Sequence, residues 1–126
     1  MNEELFEKGL KIRREVLGAD YVDKAIKNAD ELTRPLQELV TEYCWGFVWG
    51  REGLPRKVRS FINLAMITAL NRPHELRLHV RGALNNGLTR EEICEVFLQT
   101  AIYCGVPASI DAFRVAREVF AEVDQE

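Results

Sequence analysis

Residues 73–87, PHELRLHVRGALNNG, decide the fold class. The proline costs nothing at the start of a helix, because the N–H that it lacks would be unpaired there in any case. The glycine at the end accepts the left-handed conformation that closes many helices. Between them, one side of the helical pattern carries Leu76, His79, Val80, Ala83 and Leu84. This stretch therefore predicts a helix.

The same punctuation divides the rest of the chain. Three more prolines precede helical patterns and three more glycines follow them: Pro35, Pro55 and Pro107, and Gly18, Gly50 and Gly105. Helices are expected over residues 3–17 and from residue 20, where Asp20 is the expected cap, and further helices start near 33–35, 55, 73, 89 and 107. No alternating strand pattern of useful length occurs. The sequence predicts an all-α fold of six to seven helices, with residues 1–126 as one domain.

The residues that recur at helical spacing, most of them apolar, form the expected core. They are Phe6, Leu10, Arg13 and Leu17; Val22, Ala25 and Ile26; Leu36, Leu39, Val40, Tyr43 and Phe47; Val58, Ile62, Ala65, Met66 and Ala69; Ile93, Val96, Phe97, Thr100 and Cys104; and Ile110, Phe113, Ala116, Val119 and Phe120. Thr89 with Glu92 forms a capping-box pattern. Phe61, Leu64 and Leu70 make the fourth helix apolar on a second side. We therefore expect a homo-oligomer.

Charge and cysteine content exclude several classes of protein. The formal net charge of −3 argues against a nucleic-acid binder, and the helix-turn-helix outline of residues 75–104 places acidic residues where phosphates would lie. Cys44, Cys94 and Cys104 show neither Cys-x-x-Cys nor zinc-ligand spacing, so we expect reduced thiols and no metal. The longest uncharged run, residues 96–110, is too short to span a membrane. No apolar signal core follows the N-terminus, which favours a cytoplasmic protein.

His79 is the first candidate for chemistry. On a helix it faces inward beside the small residues Gly82 and Ala83, and Glu75 lies one turn earlier, where it can orient the ring. The alternative is a buried structural histidine that is hydrogen-bonded to a carboxylate.

Arg59 is the second candidate. It borders the apolar stripe of the fourth helix, where a guanidinium requires an anionic partner. That anion is either Glu42, in an internal salt bridge, or a substrate carboxylate.

A third group lies on one side of the third helix. Glu42, Trp45, Gly46 and Trp49 recur at helical spacing, and the two indoles can form the walls of a flat pocket or pack in the core or at an interface. Tyr103 can supply a hydroxyl group near a helix end or pack in the core. Residues 51–90 hold eight basic and two acidic residues, a local balance of +6 that favours a small dianion.

Five stretches carry a resemblance to the carboxymuconolactone decarboxylase family. They are RREVLG at 13–18, EYCWGFVW at 42–49, RS at 59–60, ELRLHVRGALNNG at 75–87 and YCGVPA at 103–108. The resemblance covers nearly the whole chain and implies a fold of the alkylhydroperoxidase-D type that assembles into rings, commonly hexamers built as trimers of dimers. Peroxidase-type relatives carry Cys-x-x-Cys before the helix histidine, where this chain has Arg72 and Glu75. A thiol peroxidase is therefore not expected. Asn63 and Ile110 also depart from the family pattern.

The resemblance implies a reaction as well as a fold. It is the conversion of 4-carboxymuconolactone, a small dianionic lactone, to 3-oxoadipate enol-lactone and CO2 in aromatic catabolism, without a cofactor. We expect Arg59 to anchor a carboxylate or the developing oxyanion, His79 to act as general acid, and Glu75 to orient His79. The expected substrate-binding residues are Trp45, Trp49, Glu42 and Tyr103, the last two being alternative acids. Two alternative functions are open: the chain acts on another small anionic carbonyl compound, or it is a non-catalytic oligomeric protein.

Overall fold

The computed structural model describes all 126 residues, and every regular element in it is helical. The elements are α1 (Glu3–Leu17), α2 (Ala19–Lys27), α3 (Arg34–Leu39), a π-helix (Val40–Val48), α4 (Arg56–Ala69), α5 (Pro73–Asn85), α6 (Arg90–Cys104) and α7 (Val106–Asp124). The predicted all-α class is confirmed. None of these helices combines the length and the apolar character that a membrane span requires.

The predicted helix boundaries are mostly confirmed. Gly18, Gly87 and Gly105 have positive φ and follow helices, as expected. Thr89 and Glu92 form the predicted capping box, each side chain accepting from the other residue's backbone N–H at 3.0 and 2.9 Å. Two details were wrong: α2 begins at Ala19, so Asp20 lies in its first turn, and Gly50 has no left-handed backbone.

The contacts divide the chain into two compact units, Met1–Arg56 and Lys57–Glu126. In the first unit, α1 packs against the π-helix at backbone distance. A Cβ added at Gly9 would lie 1.9 Å from the Thr41 carbonyl oxygen, and one added at Gly46 would lie 2.5 Å from the Leu5 carbonyl oxygen. Glycine is therefore required on both helices for them to approach this closely.

The π-helix was not predicted, and the side of this segment that was expected in the core is not the side that is buried. Its backbone hydrogen bonds join residues five positions apart, where those of an α-helix join residues four apart. One example runs from the Trp49 N–H to the Cys44 carbonyl at 3.0 Å. The buried residues are Thr41, Glu42, Trp45, Gly46 and Trp49. The apolar residues expected in the core are exposed instead: Leu36, Leu39, Tyr43 and Phe47.

The second unit holds one apolar core, formed by α4 to α7. Its fully buried side chains include Leu64, Val80, Ile93 and Phe97, and the Phe97 ring meets the Phe113 ring edge-on at 5.5 Å between centroids. Of the core positions expected on α5, Leu76, Val80 and Ala83 are buried, while His79 and Leu84 are partly buried. On α6, the expected core residues Ile93, Phe97 and Thr100 are buried.

The buried face of α4 was also assigned wrongly. The residues that it buries are Ser60, Leu64 and Thr68, spaced by four along the helix. The stripe expected in the core lies on the other side and is largely exposed: Val58, Ile62, Met66 and Ala69. Cys104, Ile110 and Phe113 are exposed as well. Apolar spacing therefore selected the exposed side of α4. The side that packs in the core carries Leu64 between the small polar residues Ser60 and Thr68.

Candidate active site

His79 lies on α5 in the second unit and is partly buried. Its Nδ1 atom is 3.5 Å from the Nδ2 atom of Asn63 on α4. Burial lowers the pKa of His79 from 6.5 to about 4, because loss of contact with water destabilises the charged imidazolium more than the neutral ring. The ring is therefore neutral at pH 7.

Arg59 lies on α4, four residues before Asn63 and on the same face of that helix. Its side chain is half-buried. Two neighbouring helices thus contribute Arg59, Asn63 and His79, and a second bond joins the same helices where the Asn86 amide donates to the Ser60 hydroxyl at 2.9 Å. We call Arg59, Asn63 and His79 the histidine cluster.

Glu75, the expected partner of His79, lies in the first turn of α5 and is exposed. The predicted Glu75–His79 pair is not formed, and Asn63 contacts the ring at Nδ1 instead. The four-residue spacing of Glu75 and His79 would have allowed a contact within α5. The contact in the structure instead joins His79 on α5 to Asn63 on α4. Asn63 departs from the family pattern in the sequence, and its contact with His79 was not predicted.

Three predicted substrate-binding residues lie in the first unit, where they are almost completely buried. The Trp45 and Trp49 rings stack at 4.8 Å between centroids and are 3% and 6% exposed. Glu42, 5% exposed, accepts the Asn2 backbone N–H at 2.8 Å. These positions are typical of packing side chains, and a role in substrate binding stays a prediction.

Tyr103, the fourth predicted substrate-binding residue, is 83% exposed at the end of α6. It lies at a mainly apolar groove of about 400 Å³ between α4 and α6, together with Ile62, Ala65 and Cys104. The expected packing of Tyr103 in the core is therefore wrong, and its role toward substrate stays a prediction.

The basic segment, residues 51–90, does not present a field of unpaired charge, contrary to expectation. Five of its cations form ion pairs: Arg56 with Glu15, Lys57 with Glu92, Arg77 with Glu118 and Glu122, Arg81 with Glu122 and Glu126, and Arg90 with Asp124. Four of these six acids lie in α7 or just after it, far away in sequence: Glu118, Glu122, Asp124 and Glu126. The +6 balance therefore does not by itself attract a dianion.

Ligand sets for a metal ion are absent: no three His, Cys, Asp or Glu side chains converge. Cys44, Cys94 and Cys104 are all free thiols. The histidine cluster in the second unit supplies a guanidinium, an amide and a neutral imidazole. Such groups bind carboxylates and stabilise developing oxyanions.

Comparisons with known proteins agree with this chemistry. A family model described as "Carboxymuconolactone decarboxylase family" matches residues 34–118. The chain is 46% identical over 123 residues to a nitrosuccinic acid decarboxylase of Metarhizium robertsii, covering 98% of this chain and 86% of that protein. It is 39% identical over 122 residues to a 4-carboxymuconolactone decarboxylase of Acinetobacter baylyi, covering 97% and 91%. An uncharacterized 15.0 kDa protein of Paracoccus denitrificans is 40% identical over 88 residues, covering 68% and 65%.

Proposed function

Because the chain belongs to the carboxymuconolactone decarboxylase family, we propose that it decarboxylates a small dicarboxylate without a cofactor, with 4-carboxymuconolactone as the first candidate. The chain is a carboxy-lyase, since the family and two similar proteins carry that activity in their names. The observation that carries the finer proposal is the histidine cluster, in which an arginine and a neutral imidazole lie on adjoining helices.

The reaction needs no cofactor because the substrate supplies its own electron sink. The carbon that loses CO2 is conjugated through a double bond to the lactone carbonyl. The electron pair of the breaking C–C bond moves into the ring and onto that carbonyl oxygen, which gives a dienolate. The enzyme must stabilise this oxyanion, after which a proton is added to carbon.

Arg59 is proposed to hold the carboxylate that stays on the substrate. A guanidinium binds a carboxylate through two parallel N–H donors, which fixes the orientation of the substrate as well as its position. The departing carboxylate must be held more loosely, because strong ground-state binding of that group would oppose its loss as neutral CO2.

His79 is proposed to donate a hydrogen bond to the developing oxyanion. The sequence predicted a general acid, but with a pKa near 4 only about one ring in a thousand is protonated at pH 7. A neutral imidazole still donates through its remaining N–H, and this donation strengthens as charge builds on the oxygen. Glu75 is exposed, so we assign it no contact with the reacting atoms.

A second candidate substrate is nitrosuccinate, favoured by the 46% identity with a nitrosuccinic acid decarboxylase. In both compounds the reacting carbon carries the departing carboxylate, a CH2–COO− arm and a group that accepts electrons. The nitro group takes up the electron pair as a nitronate, as the lactone does as a dienolate. One site that binds the carboxymethyl arm and stabilises an oxyanion therefore suits either compound.

Self-association as a homohexamer, a trimer of dimers, is the proposed assembly. Support comes from apolar side chains that one chain leaves exposed in each unit. Leu36 and Leu39 are both 55% exposed in the first unit, and Ile102 and Val106 are exposed in the second. Light scattering should give a mass of about six times the 14.5 kDa chain, and a monomeric mass would contradict the assembly.

The experiment that tests the reaction offers the purified protein both dicarboxylates and measures CO2 release. Turnover of 4-carboxymuconolactone with a higher kcat/KM than nitrosuccinate supports the first candidate. The opposite ranking replaces it with the second. Release of CO2 from neither compound would overturn the proposed substrates.

Arg59→Ala and His79→Ala should each lower kcat/KM by about 10²- to 10³-fold, the usual cost of one electrostatic donor. Lys57→Ala is the matched control for Arg59, because it removes a cation from the same helix that is paired with Glu92 on the surface. If both site variants keep the wild-type rate, the assignment of the histidine cluster is wrong.

A further inference from the structure

We propose that Asn63 is a positioning residue that fixes the tautomer of His79, placing the ring proton on Nε2. The inference rests on the proposed function for its catalytic consequence, but the tautomer itself can be measured without any substrate. It concerns a residue that neither the sequence pattern nor the family resemblance assigned to the site.

The direction of the hydrogen bond follows from the atoms that meet. The Nδ2 group of Asn63 lies 3.5 Å from Nδ1 of His79. An amide NH2 has two donors and no acceptor capacity, so a hydrogen bond between these nitrogens requires Nδ1 to be the acceptor. A neutral imidazole with an unprotonated Nδ1 carries its single proton on Nε2.

The Asn63 side chain has no second hydrogen-bond partner, so its amide is not held by a competing group. The side chain is partly buried on α4, and the ring that it contacts is partly buried on α5. The distance is at the long end of the range for a hydrogen bond.

The consequence for catalysis depends on which nitrogen donates. In this tautomer Nε2 is the nitrogen that donates to the oxyanion, and removal of its proton would leave a lone pair there instead. Asn63 would thus determine whether His79 stabilises or repels the developing charge. Because the effect appears only as that charge forms, it should be found in kcat more than in KM.

Asn63→Asp tests the proposal with almost no change in shape. The carboxylate only accepts hydrogen bonds, so it requires a proton on Nδ1 and reverses the tautomer. At about pH 8.5, where the imidazole is neutral, we expect kcat to fall by about 10²-fold with little change in KM. Asn63→Leu removes the bond without imposing the wrong tautomer, and it should keep kcat within about tenfold of wild type.

Nitrogen-15 NMR of the histidine side chains reads the tautomer directly. The chain has only two histidines, so His74→Gln assigns the signals of His79. Asn86→Asp is the matched control, since it makes the same substitution in the other amide that joins α4 and α5. In wild type and in Asn86→Asp we expect the proton on Nε2, and in Asn63→Asp on Nδ1.

Each outcome decides a separate claim. A wild-type proton on Nδ1, or an Asn63→Asp ring still protonated on Nε2, overturns the assignment of Asn63. A reversed tautomer with unchanged kcat, or an equal loss of kcat in Asn63→Leu, overturns its catalytic consequence. If wild type releases CO2 from neither dicarboxylate but shows the expected tautomer, the proposed function fails and the positioning role stands.

Discussion

The two units of this chain bury different kinds of groups. In the unit Met1–Arg56, α1 meets the π-helix through glycine, and the buried residues include Arg13, Thr41 and Glu42. The Arg13 guanidinium donates to the Gln37 amide at 2.8 Å and to the Thr41 hydroxyl at 3.1 Å. In the unit Lys57–Glu126, the centre is a continuous apolar core.

The difference shows two ways of holding helices together. Backbone contact at glycine tolerates no added atom, while an apolar core loses stability in proportion to the surface and volume that a truncation removes. The histidine cluster lies in the second unit. There a partly buried ring is kept neutral, whereas the first unit buries Arg13 and Glu42, both of which take part in hydrogen bonds.

The largest effect is expected from Gly9→Ala. The new Cβ would lie 1.9 Å from a backbone oxygen that has no freedom to move away, so α1 and the π-helix must separate. We expect a loss of about 4 kcal/mol or more in the free energy of unfolding, measured by urea denaturation. Gly53→Ala is the control, because no atom lies within 4 Å of its added Cβ. Equal stability of the two variants would refute the backbone contact.

Phe97→Ala makes the complementary change in the second unit. The ring is fully buried beside Phe113, so its removal should cost about 3–5 kcal/mol in the free energy of unfolding. Leu98→Ala truncates the next residue, which is exposed, and should cost under about 0.5 kcal/mol. If Leu98→Ala cost as much as Phe97→Ala in urea denaturation, the position of the core would be wrong.

The same contrast explains what could be predicted from the sequence. Prolines, glycines and the Thr89–Glu92 capping box act locally, so they marked the helices well. The buried face of the second unit's α5 followed from apolar spacing. Arg13, Leu17 and Val22 of the first unit are buried where the spacing placed them. The buried side of the π-helix escaped this method, because its close contact is made at Gly9 and Gly46 and not by its more apolar side.

In the candidate site, the position of His79 could be predicted from the sequence, but its contacts could not. The inward position of His79 follows from its neighbours on one helix, and the lowered pKa agrees with it. Its contact with Asn63 joins two helices, as do the ion pairs that neutralise Arg77 and Arg81. Such contacts depend on how helices pack and are not contained in the spacing along any one of them.

Stability in acid tests whether the His79 ring is buried in its neutral form. The pKa of His79 is about 4 in the folded chain and near 6.5 when unfolded, so the unfolded state binds more protons between these values. The contribution of the neutral ring is therefore complete above pH 6.5 and is lost as the pH falls toward 4. Between about pH 7.5 and 5, wild type should lose roughly 2 kcal/mol more than His79→Gln in urea denaturation. His74→Gln changes an exposed histidine and should follow wild type; if His79→Gln also does, burial of a neutral ring is disproved.

The smallest effect is expected in the pH dependence of the rate, and it decides how the neutral ring is used. kcat/KM reports the ionisation of the free enzyme. If neutral His79 donates a hydrogen bond, kcat/KM for decarboxylation should be constant from about pH 5.5 to 7.5, because the ring keeps its working form throughout. A general acid that works as the imidazolium would lose about tenfold in kcat/KM per pH unit over the same range. Initial rates of CO2 release at constant ionic strength distinguish the two, with circular dichroism at each pH to establish that the fold persists. A falling profile would restore the general acid predicted from the sequence, and a flat one assigns His79 to the oxyanion.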